Sequence, residues 1–296
     1  MAQSHGSHGS AVPFQARDAA VVDVHVHVHT GDRRRERLAQ SEDARRLFGS
    51  GAAHGPDEVL TLYQQLGGMA VVFDVDAETS TGQKISNDEI AELVARSGGR
   101  LVGFGSVDPW KGRAAVKEVE RCHKLGMKGM KFQPITQAFF ANEPRFSPIW
   151  DACQGLGLIV IFHTGTTAIG NGAPGGRGLH LKYGRPIPAL DDVAAWFPDL
   201  TIIAAHPGWP WHTELLAVAR HKGNVYIDLS GWAPRYWPAE TVQYLNSVMP
   251  EKFLFGSDYP LFHPRRWLDE FAQLSVKDGV REKVLRTNAL GLLRLA

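Results

Sequence analysis

The chemistry of this chain begins in one short run, Val22-Asp23-Val24-His25-Val26-His27-Val28-His29. Read as a strand, its successive side chains point to opposite faces, so the valines share one face and Asp23, His25 and His27 the other. Valines suit a face packed on helices, which sends Asp23, His25 and His27 into a protein interior. Buried imidazoles without partners cost roughly 1–3 kcal/mol per unsatisfied group. A cation relieves that cost, because two imidazoles two residues apart on one strand face can reach a single ion. The alternative is a solvated surface strand, and the valine face argues against it. Three further apolar runs end in side chains of the same kind: 158–162 runs into His163, 201–205 into His206, and 253–257 into Asp258. Singly, each is explained by a strand end satisfied by water or backbone. Jointly, packing alone does not account for them.

These residues need elements that bring them together. Strand-like apolar runs occupy 21–27, 69–75, 101–107, 127–133, 158–163, 201–205, 224–228 and 253–256. Helical spacing fills the intervals at 57–66, 87–95, 113–125, 148–156, 188–197, 213–221, 239–248 and 264–274, with Asn87 in the N-cap position of its segment. One or two closing helices follow over 278–295. Unbroken strand–helix alternation predicts a parallel sheet closed into an α/β, (β/α)8 TIM barrel. No Gly-x-Gly-x-x-Gly turn follows the first strand, which weakens a dinucleotide-binding reading. Two connections, 30–56 and 164–186, are long, and both follow the C-terminal ends of strands, where barrel enzymes build their sites.

The length fits two average domains or one large α/β barrel. The chain has 296 residues, 44% hydrophobic and 21% charged, with a formal net charge of +1. That balance gives no case for nucleic acid as a partner. Cys122 and Cys153 sit in helix-like segments and suit reduced thiols in a cytoplasmic protein. No apolar run approaches the ~20 residues of a membrane span, and no signal peptide is expected. Residues 1–17 are expected as a flexible tail, in which His5 and His8 are incidental, and 18–296 as the barrel domain.

The ordered set Asp23-x-His25-x-His27, Lys128-Gly129-Met130-Lys131-Phe132, His163, His206-Pro207-Gly208 and Gly256-Ser257-Asp258-Tyr259-Pro260 resembles the amidohydrolase superfamily. The closer match is the amidohydrolase-related branch that includes aminocarboxymuconate semialdehyde decarboxylase and related hydrolases, and it runs from about Val21 to the C-terminus. Asn288 matches the usual closing helix of that branch. The resemblance implies that His25, His27, His163 and Asp258 bind one divalent metal, zinc by first choice, and that His206 is a catalytic imidazole beside it. Imidazole and carboxylate suit Zn²⁺, which lowers the pKa of bound water toward ~7. Asp258 can then accept that water's proton, while His206 polarises a carbonyl or shuttles a proton.

Lys131 ends the fourth strand. It is read as a substrate anion contact, the alternatives being a carboxylated lysine between two metals or a lysine reaching solvent. Trp209 and Trp232 are expected to face a pocket for a flat substrate. Arg177, Lys182 and Arg185 could clamp a carboxylate, with His180 joining them, and Arg235 could help line the pocket for the flat substrate. The arginine-rich 33–37 run is by default a solvated face, with the phosphates of an acyl thioester as the sharper idea. His29 is the reserve ligand.

The function expected is metal-assisted hydrolysis of a small carbonyl compound (a β-keto compound, lactone or amide) in aromatic-acid breakdown. The alternative is non-oxidative decarboxylation of an aromatic or muconate-type acid at the same site. A silent binding protein is disfavoured because no member of the metal set is missing. The expected partners are a small carboxylate or acyl thioester and, on the branch's habit, further copies of the chain in a homodimer or larger assembly.

Overall fold

The structure is a computed structural model that describes residues 14–31 and 55–295. The 33–37 run, His54, His5 and His8 lie outside the described residues, as do most of the first long connection and the tail up to position 13.

Eight strands follow one another around a single sheet: β1 (Val22–His27), β2 (Met69–Phe73), β3 (Leu101–Ser106), β4 (Gly129–Phe132), β5 (Ile159–His163), β6 (Ile202–Ala205), β7 (Val225–Asp228) and β8 (Phe253–Leu254). Each pairs in parallel with the next. Beyond β8 the chain runs on beside β1. The amides of Val24 and His27 donate to Phe255 O (2.9 Å) and Tyr259 O (2.8 Å), and Asp258 N donates to His25 O (2.9 Å). Those bonds close the seam of the barrel predicted from the alternation.

A main helix follows each strand, beside shorter turns: α1 (Pro56–Gln65), α2 (Asn87–Ala95), α3 (Arg113–Lys124), α4 (Ser147–Gly155), α5 (Ala189–Trp196), α6 (His212–His221), α7 (Ala239–Gln243) and α8 (Pro264–Ala272). The cap of α2 is Ser86, whose hydroxyl accepts from Glu89 N, and not Asn87. Asn87 is instead the first helical residue, and its amide exchanges hydrogen bonds with the backbone of Ser106. The segment 278–292 closes the chain in short helical turns. Within it Ala289, Leu290 and, just beyond, Leu293 pack on the barrel interior. No helix among the described residues is long and apolar enough to cross a membrane.

Strands buried on both faces explain the near-continuous apolar runs. Val71, Phe73, Ile159, Ile161 and Ile203 fill the interior. Val72, Val160, Phe162 and Ile202 meet Val59, Ile90, Val119 and Trp150 of the helices. In β1 strict alternation fails. Val22 and Val24 join the interior cluster and Val26 and Val28 the outer one, and the register with β2 shifts between Asp23 and Val26. An extra residue in a strand re-aims the side chains beyond it. Asp23 therefore turns toward α1, where Tyr63 Oη donates to it at 2.5 Å, and does not share the inner face with His25 and His27.

Candidate metal centre

The bulge in β1 delivers His25 and His27 to the C-terminal mouth of the barrel, where the seam supplies Asp258. Nε2 of His25 is 3.3 Å from Nε2 of His27 and 3.3 Å from Asp258 Oδ1, and His27 Nε2 is 3.3 Å from the same oxygen. The three atoms form an equilateral triangle. Its edge is that of a tetrahedron whose centre lies ~2.0 Å from each corner, the bond length of zinc to imidazole and carboxylate. The donor set therefore fits a small divalent cation.

Protonation states favour the same use. His25 Nδ1 lies 2.8 Å from Asp228 Oδ2, an oxygen that can only accept, so the proton sits on Nδ1 and the Nε2 lone pair faces the triangle. Burial holds the His25 and His206 imidazoles well below the usual histidine range, reinforced at His25 by the Lys131 charge and at His206 by His163. Burial, with Lys131 second, brings His163 down to about 3. A neutral ring offers a lone pair without first losing a proton. Burial raises the Asp258 carboxyl, against the lowering effect of its hydrogen bond with His27.

His163 stands one step from the triangle. Its Nε2 bonds Thr166 O at 2.9 Å, which leaves the Nδ1 lone pair facing Nε2 of His206 at 3.0 Å. His206 follows the inward-facing Ala205, so alternation alone would send it outward. A left-handed backbone, φ 73°, turns it back into the mouth, and Asp258 also has a left-handed backbone, φ 63°. Close approach of the site's side chains needs glycine at two positions. A Cβ on Gly231 would lie 2.5 Å from His206 Nδ1, and one on Gly256 would lie 3.1 Å from both His25 Cβ and Asp228 Oδ1.

Asp228 and Ser230 were not singled out in the sequence. Asp228 Oδ1 accepts from the amides of His206 (3.2 Å) and Ser230 (2.9 Å) and from the Ser230 hydroxyl. Ser230 Oγ is also 2.9 Å from His206 Nδ1 and 3.1 Å from His25 Nδ1. His25, His206 and Asp228 form a second group with donor atoms close together, in which His25 Nδ1 is already engaged by Asp228 and His206 Nδ1 by Ser230. The signal was present: β7 ends on Asp228 as β5 ends on His163.

Above the triangle opens a cavity of about 1100 Å³ whose wall includes His27, Lys131, His163, His206, Arg177, Trp209, Trp232 and Asp258. Lys131 is wholly buried, with Nζ 3.3 Å from His25 Nε2 and 5.0 Å from the Phe73 ring centre, so it does not reach solvent. Burial lowers its pKa to about 8, against the raising effects of Asp228 and Asp258. Trp209 and Trp232 stand 5.6 Å apart between ring centres. Buried His29 also lines the wall.

His180 and Arg235 are not part of that wall. His180 sits against Tyr183, and Arg235 lies over Tyr236 with Glu270 at 3.9 Å, because each lies on an exposed turn with a local aromatic partner. Arg185 is taken by Glu214 at 2.7 Å, and Lys182 lies over the Phe140 and Tyr183 rings.

The amidohydrolase family profile matches residues 22–295. The chain is 23% identical over 238 residues to a 2-amino-3-carboxymuconate-6-semialdehyde decarboxylase of Dictyostelium discoideum, covering 71% of this chain and 65% of that relative, less than two thirds of its length. It is also 23% identical over 300 residues to a gamma-resorcylate decarboxylase of Polaromonas sp. (strain JS666 / ATCC BAA-500), covering 88% of this chain and 90% of the relative. Among solved structures, an uncharacterized TIM-barrel protein from Bordetella bronchiseptica superposes with a TM-score of 0.76 at 22% identity, over 93% of this chain and 98% of that one. A dihydroxybenzoic acid decarboxylase from Polaromonas sp. JS666, with bound manganese and the inhibitor 2-nitroresorcinol, gives 0.68 at 19% identity over 94% and 97%. At these identities the structural likeness carries the fold alone.

Proposed function

Because the chain belongs to the amidohydrolase family, we propose that it is a metal-dependent enzyme that releases the carboxyl group of an aromatic acid as CO₂ without oxidation. Of the two reactions weighed from the sequence, hydrolysis led. The names of both curated relatives support the decarboxylase instead.

The observation that carries this reading is the placement of Asp258. Its Oδ1 belongs to the donor triangle, while Oδ2 lies on the His206 side, 3.1 Å from where a Cβ would stand on Gly231. One carboxyl can thus serve the ion through one oxygen and hold a proton on the other. Decarboxylation needs that proton. It is added to the ring carbon that bears the carboxylate; the carbon–carbon bond then breaks, its electron pair returns to the ring, and CO₂ departs. His206, kept neutral, can pass the next proton inward to Asp258. Lys131 neutralises the entering carboxylate at the cavity floor, and Trp209 and Trp232 offer flat apolar surface to the ring.

The residues proposed to hold the ion are His25, His27 and Asp258, with His163 as the fourth ligand through Nδ1. Zinc fits the imidazole-rich donor set, and the manganese of the Polaromonas neighbour supports manganese equally. A bound divalent cation supplies a Lewis acid for the oxygen atoms of the substrate.

The test is incubation of metal-loaded protein with a panel of hydroxybenzoates and related aromatic acids in D₂O. The expected result is CO₂ release with one deuterium on the ring carbon that carried the carboxylate. Turnover of lactones or amides, with no CO₂ from any acid of the panel, returns the assignment to hydrolysis.

A further inference from the structure

We propose that Asp23 and Tyr63, neither of which reaches the cavity, are positioning residues that set the spacing of the metal centre by locking the seam at which the barrel closes. This rests on the metal-binding reading of His25, His27 and Asp258.

The triangle is assembled from two sides of that seam. His25 and His27 lie on β1, and Asp258 lies in the chain beyond β8. The register between them decides whether three donor atoms meet. Asp23 Oδ1 accepts two amides at once, His25 N at 3.0 Å and Ser257 N at 3.0 Å. One of these belongs to a proposed ligand and the other to the neighbour of a second. The bulge removes the regular ladder around His25, and the Asp23 carboxylate supplies the acceptor for its amide. The other oxygen, Oδ2, receives the Tyr63 hydroxyl at 2.5 Å from α1. Asp23 and Tyr63 are both wholly buried. The contact therefore ties bulge, seam and helix together in a dry place where water cannot replace a lost partner. Metal–ligand distances tolerate only about ±0.2 Å, so a small slip of the seam opens the triangle.

The experiment titrates Zn²⁺ and Mn²⁺ into the metal-stripped full-length protein by calorimetry, with the thermal midpoint recorded beside it. Tyr63→Phe removes a single hydroxyl. It is expected to weaken metal binding by about 10–100-fold, the range seen when outer partners of metal ligands are removed. Asp23→Asn, which keeps the shape, is expected to weaken binding similarly and stands in for Tyr63→Phe if that variant does not fold. Val59→Ala removes core volume from the same helix without touching Asp23. It should lower the midpoint and leave the affinity unchanged. Unaltered affinity in Tyr63→Phe or its stand-in, or an equal loss in Val59→Ala, overturns the positioning role. Failure of the wild-type protein to bind either ion overturns the metal centre itself, a separate result.

Discussion

Nδ1 of His25 lies 2.8 Å from Oδ2 of Asp228, and both side chains are wholly buried. The carboxylate fixes the imidazole tautomer and so aims the Nε2 lone pair at His27 and Asp258. Asp228→Asn retains an oxygen for the same contact but loses the charge that makes the ring more basic. Metal affinity is expected to fall about tenfold, measured by competition with a chelator. Wild-type affinity in this variant would mean that Asp228 acts only through shape.

His163 and His206 touch each other, yet their proposed roles differ. His163→Ala should lose bound metal and activity while keeping its circular dichroism spectrum. His206→Asn should keep one equivalent of metal and lose about 10²–10⁴-fold in turnover, the usual worth of a general acid–base group. Metal analysis of the two purified variants separates the roles. Full metal content in His163→Ala would remove it from the ligand set.

Gly231 leaves room for His206 and Asp258, the proposed acid–base pair. Its φ is 71°, and a Cβ would lie 2.5 Å from His206 Nδ1. Gly231→Ala is expected to cost roughly 1–2 kcal/mol of stability from the left-handed backbone alone, and to push His206 off its position. Urea denaturation and steady-state kinetics measure the two losses. A variant with normal turnover would show that His206 can move without consequence.

Lys131 is buried in the cavity wall beside His25. Lys131→Met keeps the length and removes the charge. KM for an aromatic carboxylate should rise at least about tenfold, since a hydrogen bond to a charged group is worth roughly 1.5–3 kcal/mol. Metal content should be retained. A KM unchanged across a series of acids would deny the lysine its anion.

The buried imidazoles also predict how the metal-stripped protein responds to acid. The His163 pKa is about 3 when folded against an ordinary 6.5. Below 6.5 the unfolded chain binds a proton that the folded chain does not. The stability associated with the neutral ring is present above 6.5 and is lost as pH falls toward the folded value. Each such group contributes a slope of about 1.4 kcal/mol per pH unit in that window, and His25 and His206 are lowered in the same direction. Buried Asp23, raised to about 7, contributes in the opposite sense, so the check is a difference between chains: between about pH 7 and pH 5 the urea midpoint should depend on pH with a less positive slope in His163→Asn than in the wild type. Parallel slopes would show that His163 titrates normally in the fold.

Much of this protein was legible as a string. Apolar runs with helical segments between them require a sheet covered on both sides, and eight repeats of that unit without a linker close most simply into a barrel. His27 and His163 end their strands and Asp258 follows the last one, so the barrel sends them to one mouth. Their position along the chain relative to parallel strands is enough to place them at that end of the barrel. Asp228 obeys the same rule and could have been read from it.

The string did not contain the departures from regular geometry. A bulge between Asp23 and Val26 reverses the facing of Asp23, and a left-handed backbone turns His206 inward. Neither has a spacing signature, because both are set by contacts with residues far along the chain: Tyr63 and Ser257 for Asp23, Asp228 and Ser230 for His206. The exposed His180 and Arg235 were equally undecided, since charge alone does not say whether a long side chain will meet the cavity or a nearer partner. Sequence determined which groups arrive at the mouth of the barrel, because periodicity is a local property of the backbone. Only the closed seam decided which of their atoms come within 3.3 Å of one another.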